Sequence, residues 1–224
     1  MKMYKVFNFI EDKAINLPLT ENRGFLYGDG FFETIIVKNG RLLSFEQHYD
    51  RMLYASKQLN LLPFPSKKAI KTLIKSYRNG NSVETRLKII VFRNSDGLFA
   101  PNKNSPLFYF EEKNTLSNHV LNKSAFFSTS VFNKESITSS FKTLSSLKYV
   151  LAGIELKKKS FDEIILLDDE ENISECLSSN IWWIKNDTIF CPSTSTGCID
   201  GVAKKNIFCH LATKKVKVHI GKFK

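Results

Sequence analysis

Ile173-Ser174-Glu175-Cys176-Leu177-Ser178-Ser179-Asn180-Ile181 sets one acid inside a short β-rich run. An unpaired carboxylate between apolar strands is costly, so Glu175 is expected to answer a specific partner. Upstream, Glu163 to Leu167 reads as a strand, joined through the acidic turn Asp168 to Asn172 to a strand over Ile173 to Cys176. Before these, a helix begins around Ser145-Ser146 with Leu147, Val150, Leu151 and Ile154 on one face. It follows a strand from Ala125 to Phe132 and a Ser/Thr-rich loop that leads into Phe141-Lys142-Thr143-Leu144. Downstream, Ile181 to Ile184 and Thr188 to Cys191 form a hairpin around Lys185-Asn186-Asp187, and a last helix starts near Gly201.

The first half reads differently. Strands are expected over Lys5 to Ile10, near Ala14 to Asn16, and over Phe31 to Val37. Asn39-Gly40 is a strong hairpin signal, returning through Arg41-Leu42-Leu43. From Ser44, a plausible N-cap, Phe45, His48, Met52, Ala55 and Leu59 recur at helical spacing to about Asn60. Pro63 and Pro65 end that helix. A second runs from Lys67 to Arg78 and stops at Asn79-Gly80-Asn81, followed by strands Thr85 to Phe92 and Leu107 to Glu111. The pattern is a mostly antiparallel α+β unit over residues 1–113, with a joint near Lys113 to Asn118. Residues 114–224 form an α/β domain, so the whole chain is read as α/β.

Composition narrows the function. No stretch approaches the roughly 20 apolar residues of a membrane helix, and the alternating start lacks a signal-peptide core; a cytoplasmic protein is expected. Cys176, Cys191, Cys198 and Cys209 have no close pairing and the four histidines are scattered, so no metal site is expected. The net charge of +11 lies largely in lysine runs beside amphipathic stretches, such as Lys157-Lys158-Lys159. It would favour an anionic small molecule; a nucleic-acid partner is not expected, because no basic motif is interleaved with aromatics.

Four stretches together carry chemistry: Arg23-Gly24-Phe25-Leu26-Tyr27-Gly28-Asp29-Gly30-Phe31-Phe32-Glu33-Thr34; His48-Tyr49-Asp50-Arg51-Met52; Lys142-Thr143-Leu144 with the Glu175 run; and Gly197-Cys198-Ile199-Asp200-Gly201-Val202-Ala203-Lys204. In this order, from about Asn22 to about Leu211, the chain resembles the class IV, fold-type IV pyridoxal-phosphate enzymes. These include branched-chain aminotransferases, D-amino acid aminotransferases and aminodeoxychorismate lyases. The resemblance implies a D-amino acid aminotransferase-like fold, pyridoxal 5′-phosphate as cofactor, a homodimer, and a small anionic amino-acid-like substrate.

The cofactor needs an amine for its aldehyde, and the same amine can shuttle protons. Lys142 and Lys148 compete for the role. Lys148 is expected on a helix side shared with Ala152, Glu155 and Lys159, facing water, whereas Lys142 stands at a strand end before the helix. The resemblance also selects Lys142, thirty-three residues before Glu175. It assigns Glu175 to the pyridine nitrogen, and Val202 and Ala203 after Gly201 to the phosphate at a helix start. It gives Arg51 as the phosphate cation, Ile199 as packing on the ring, and Tyr27, Phe32 and Arg93 as substrate contacts.

Three departures qualify the match. Ala203-Lys204 stands where the family usually has a hydroxyl residue or methionine and then arginine; a lost hydroxyl contact to a charged group is worth about 1.5–3 kcal/mol. The second domain is expected to be shortened at its C-terminus, where relatives continue with further strands. The loop from Arg93 to Pro101 lacks the arginine-x-histidine of D-amino acid aminotransferases. Within the family, Ser174-Glu175-Cys176 followed by Trp182-Trp183 resembles the lyase branch, so release of pyruvate and 4-aminobenzoate is the first expectation. A transaminase of branched-chain or related amino acids is the second, and a non-catalytic or nucleic-acid-binding descendant the third.

Overall fold

The computed structural model describes residues 3–8, 11, 13–78, 84–114 and 124–224. The chain divides into two compact units, residues 1–117 with 143–145, and residues 118–142 with 146–224. The return of Thr143 to Ser145 to the first unit has no sign in the sequence. The stop expected at Asn79-Gly80-Asn81 lies outside the described residues.

The first unit is built on an antiparallel sheet. Its strands are β1 (Met3–Asn8), β2 (Lys13–Pro18), β3 (Gly30–Lys38), β4 (Arg41–Leu42), β5 (Glu84–Asn94) and β6 (Ser105–Asn114), in the order β2-β1-β6-β5-β3-β4. Asn39 and Gly40 turn β3 into β4 with φ of 49° and 73°, the left-handed pair that a tight hairpin needs. Alternation along β3 buries Phe31, Glu33, Ile35 and Val37 while Phe32, Thr34 and Ile36 stay partly exposed. A short helix α1 (Arg23–Tyr27) precedes β3, capped by the Asn22 side chain on the Phe25 N–H.

Two helices follow β4: α2 (Phe45–Gln58) and α3 (Lys67–Tyr77). Ser66 caps α3 through the Ala69 N–H. The cap expected at Ser44 is not made: Ser44 has φ of 52° and its side chain makes no capping bond to α2. Helix α2 buries Phe45, Tyr49, Met52 and Ala55 and packs on β3.

In the second unit, β7 (Ala125–Asn133) runs parallel to β8 (Glu163–Asp168), which pairs antiparallel with β9 (Ile173–Cys176). Helix α4 (Leu147–Lys157) packs on β7 and β8, where Val131, Ala152, Ile164 and Leu166 form a core. Its orientation reverses the sequence expectation. Ala152 is fully buried, whereas Leu147, Val150, Leu151 and Ile154 lie 46–65% exposed. Periodicity finds a helix's faces but does not say which one is covered. A second sheet holds β10 (Trp183–Lys185), β11 (Thr188–Pro192) and β12 (Val218–Gly221), with β11 and β12 parallel across helix α5 (Val202–Thr213). The stacked Trp183 and Phe190 rings meet Phe223 edge-on.

Candidate active site in the second unit

Glu175, on β9, is 3% exposed. Its Oε1 accepts from the Tyr149 hydroxyl at 2.7 Å and from Asn133 Nδ2 at 3.1 Å, and Oε2 accepts from the Ile199 N–H at 3.0 Å. Among the described residues Glu175 meets three donors, the partners a carboxylate accepts from. A carboxylate offers about four acceptor sites, so one stays available for a further N–H. Burial, reinforced by the Glu175 charge, pushes the Tyr149 hydroxyl above its usual pKa, so it remains a donor.

The segment after β11 reaches the same place. Asp200 donates its N–H to the Ser140 carbonyl at 2.9 Å, and Asn180 Nδ2 donates to the Ile199 carbonyl at 2.8 Å. These bonds tie the stretch before Lys142, the Glu175 strand and the Ile199 turn together. Lys142 is partly buried at the end of that stretch. Helix α5 then starts at Val202 with Gly201 as N-cap, no capping side chain and no acid in its first turn. Such a start presents N–H groups to an anion. A Cβ at Gly201 would lie 1.8 Å from Asn180 Oδ1, so the Asn180 side chain, bonded to the Ile199 carbonyl, would have to move.

Lys204 occupies the place of the expected arginine. It is 8% exposed, and its Nζ donates to the Pro192 carbonyl at 2.5 Å and lies 3.9 Å from Cys198 Sγ. The ammonium thus fastens the first turn of α5 to the end of β11. Burial raises the thiols of Cys191 and Cys198, which keeps both protonated.

Lys148 departs from its expectation. It is half-buried rather than facing water, donating from Nζ to Asn133 Oδ1 at 2.7 Å and lying 4.7 Å from the Tyr149 ring centroid. Burial lowers its pKa against the opposing pull of Glu175. Asn133 and Tyr149 are partners of Glu175 that sequence reasoning missed, and Lys148 is a residue that it weighed but placed in water. Ala152, one turn beyond Lys148 on a face otherwise polar, was the available signal for close approach to a sheet.

The first-unit candidates sit as follows. Arg51 is 5% exposed and forks onto Glu33, Nε to Oε1 at 2.5 Å and Nη2 to Oε2 at 2.7 Å, while His48 Nδ1 donates to Oε2 at 2.7 Å. Burial raises the Glu33 pKa, but the bonds from His48 and Arg51 outweigh it and hold the carboxyl below its ordinary value. Arg93 is 7% exposed and spends its guanidinium on Asp29, the Asn60 and Leu59 carbonyls and Asn104 Oδ1. Asp29 also takes Arg23 Nε at 2.8 Å. Arg93 is thus a strut between the Gly28-Asp29 turn and two loops. Tyr27 is 38% exposed, edge-on to Phe99; Phe32 lies under Lys88 Nζ at 4.6 Å on the sheet face turned from Glu33.

The model of the amino-transferase class IV family matches residues 30–224. The chain belongs to that family. A Methanocaldococcus jannaschii protein provisionally named branched-chain-amino-acid aminotransferase is 25% identical over 91% of this chain and 72% of its own. The aminodeoxychorismate lyase of Bacillus subtilis is 26% identical over 89% and 70%. A Brucella abortus aminotransferase solved with bound PLP superposes with a TM-score of 0.81 at 15% identity, covering all of this chain and 82% of its own. The fold is that of the fold-type IV enzymes, whose cofactor is pyridoxal 5′-phosphate. The second unit fits this cofactor through a buried carboxylate with a spare acceptor site, an uncapped helix start, and a bond from Asp200 beside that start to Ser140, two residues before Lys142. Among the described residues, no helix is long and apolar enough to cross a membrane and no cluster could hold a metal ion.

Proposed function

We propose that this class IV enzyme is an aminodeoxychorismate lyase, releasing pyruvate and 4-aminobenzoate. When bound, pyridoxal 5′-phosphate supplies an electron sink for the substrate's Cα carbanion. The observation that carries the chemistry is Glu175, buried, accepting from three donors and with one acceptor site open. It would keep a proton on the ring nitrogen, while Ile199 packs on the ring face.

Lys142 holds the cofactor through its amine, then takes the α-proton as base and assists leaving-group departure as acid. The N–H groups of Val202 and Ala203 bind the phosphate without a side-chain hydroxyl. Arg51 as phosphate cation and Tyr27 and Phe32 as substrate contacts follow the family resemblance alone. The Bacillus relative supports the lyase branch, as does the Cys176 run ending in Trp182-Trp183. The net charge of +11 suits a dianionic substrate. Incubation with aminodeoxychorismate tests the reading: equal amounts of pyruvate and 4-aminobenzoate support it, and no pyruvate rejects it.

The archaeal relative favours a second reading, transamination of branched-chain or related amino acids. The same residues would serve, with Lys142 returning the proton to the cofactor side. Amino-group transfer from a panel of amino acids, without pyruvate from aminodeoxychorismate, would select it. A cytoplasmic homodimer belongs to the same proposal. The exposed Leu147, Val150, Leu151 and Ile154 stripe of α4 is an apolar surface that a second copy would cover.

A further inference from the structure

We propose that Lys148 is a positioning residue for Glu175: it backs both side chains that hold Oε1, the Asn133 amide and the Tyr149 ring. The inference rests on the reading of Glu175 as the ring-nitrogen partner and adds a residue which that reading does not require.

Asn133 is fully buried at the end of β7, and its amide has two unlike ends. Partner chemistry decides which end points where. Lys148 can only donate, and it meets Oδ1 at 2.7 Å. An ionised Glu175 can only accept, and it meets Nδ2 at 3.1 Å. Ser174 Oγ commits its own hydrogen to the Thr196 carbonyl at 2.9 Å, so it too accepts from Nδ2, at 2.8 Å. Every partner therefore demands the same orientation, with the NH2 end toward the carboxylate. A flipped amide would set oxygen against carboxylate and NH2 against ammonium.

The second Oε1 donor is braced from the same side. The Lys148 ammonium lies 4.7 Å from the Tyr149 ring centroid, within cation–π range. The charged and titratable groups around it are Glu175 from β9, Tyr149 from its own helix and Cys198 from the turn before α5. Ile199 holds Oε2 independently. Loss of Lys148 should loosen one oxygen of the carboxylate and leave the other in place. Buried Asn133 Oδ1 would then lack its donor, a cost comparable with a tenfold change in an equilibrium.

The test compares wild type, Lys148→Met and Lys148→Arg. Three quantities are read: pyridoxal 5′-phosphate affinity, the pH midpoint of the bound cofactor's visible band, and hydrogen exchange of the Asn133 side-chain amide in cofactor-free protein. Lys148→Met is expected to bind about tenfold more weakly, to shift the band midpoint, and to lose amide protection. Lys148→Arg, which keeps a cationic donor, is expected to restore all three. Should Lys148→Met not fold, Lys148→Gln, with an uncharged donor, is expected to fall between wild type and complete loss.

A Met or Gln variant that melts earlier yet keeps wild-type affinity, midpoint and protection overturns the proposal, since Lys148 would then only support the fold. Failure of Arg to rescue overturns it as well. If wild type shows no visible band that depends on Lys142, the cofactor reading itself fails and takes this inference with it.

Discussion

Replacing Glu175 with glutamine keeps the shape of the side chain and removes its charge. The carboxylate accepts from Tyr149 and Asn133 on Oε1 and from the Ile199 N–H on Oε2. Glutamine has one oxygen and one NH2. With oxygen in the Oε1 place, two bonds survive and the NH2 confronts the Ile199 N–H; the reverse orientation loses two. The first is therefore preferred, leaving the part-buried Ile199 N–H without an acceptor at about 1–3 kcal/mol. For a chain of this length, each kcal/mol lowers Tm by about 2–4 °C. The fold should survive that loss. Turnover should fall further, by about 100-fold or more, because a preorganised charge at the ring nitrogen is gone. Thermal melting of the cofactor-free protein and turnover of the loaded enzyme separate the two effects. A Glu175→Gln enzyme with wild-type turnover would refute the role given to this carboxylate.

Three further outcomes follow from the same geometry. Burial raises the Glu155 carboxyl, but bonds from Ser130, the Thr129 N–H, Ser128 and the Thr129 hydroxyl outweigh it and bring the pKa down to about 2. A depressed pKa stabilises above the unfolded value and loses that contribution as pH falls through the folded one. Melting curves from pH 5 to 2 should therefore fall more steeply for wild type than for Glu155→Gln; parallel curves would count against it. Gly201→Ala puts a Cβ 1.8 Å from Asn180 Oδ1, so cofactor affinity should drop about tenfold, and Asn180→Ala added to it should recover part of the loss; equilibrium dialysis decides. Arg93→Lys should lower Tm through broken bonds to Asp29, Leu59 and Asn104 while leaving KM unchanged; a raised KM would return Arg93 to the substrate site.

What the sequence made legible was local. Asn39-Gly40, the Pro63 and Pro65 breaks and the alternation of β3 rest on backbone preferences, which act over a few residues. Strand β9 runs over Ile173 to Cys176 as read, since an acidic turn and a β-rich run bound it on both sides. Helix α4 shows the limit. Its apolar stripe and its Lys148 face were assigned by pattern, yet the sheet covers Ala152 and leaves Leu147 and Val150 outside. That choice depends on Asn133, Ser128 and Thr129 from β7, far away in sequence, which supply partners for Lys148 and Glu155. The Arg51–Glu33 pair was within reach: an acid at the inward phase of a buried strand demands a cation. Arg93, read from the resemblance as a substrate contact, gave no sign in the sequence of its carbonyl partners, which lie 33 and 34 residues away.

Lys142 bears the central claim. The decisive experiment is borohydride reduction of protein incubated with pyridoxal 5′-phosphate, followed by peptide mapping by mass spectrometry. A single pyridoxyl group on the peptide carrying Lys142, with no label and no visible band in Lys142→Ala, is the result expected. Label on another lysine in wild type, or an unchanged band in Lys142→Ala, would contradict it.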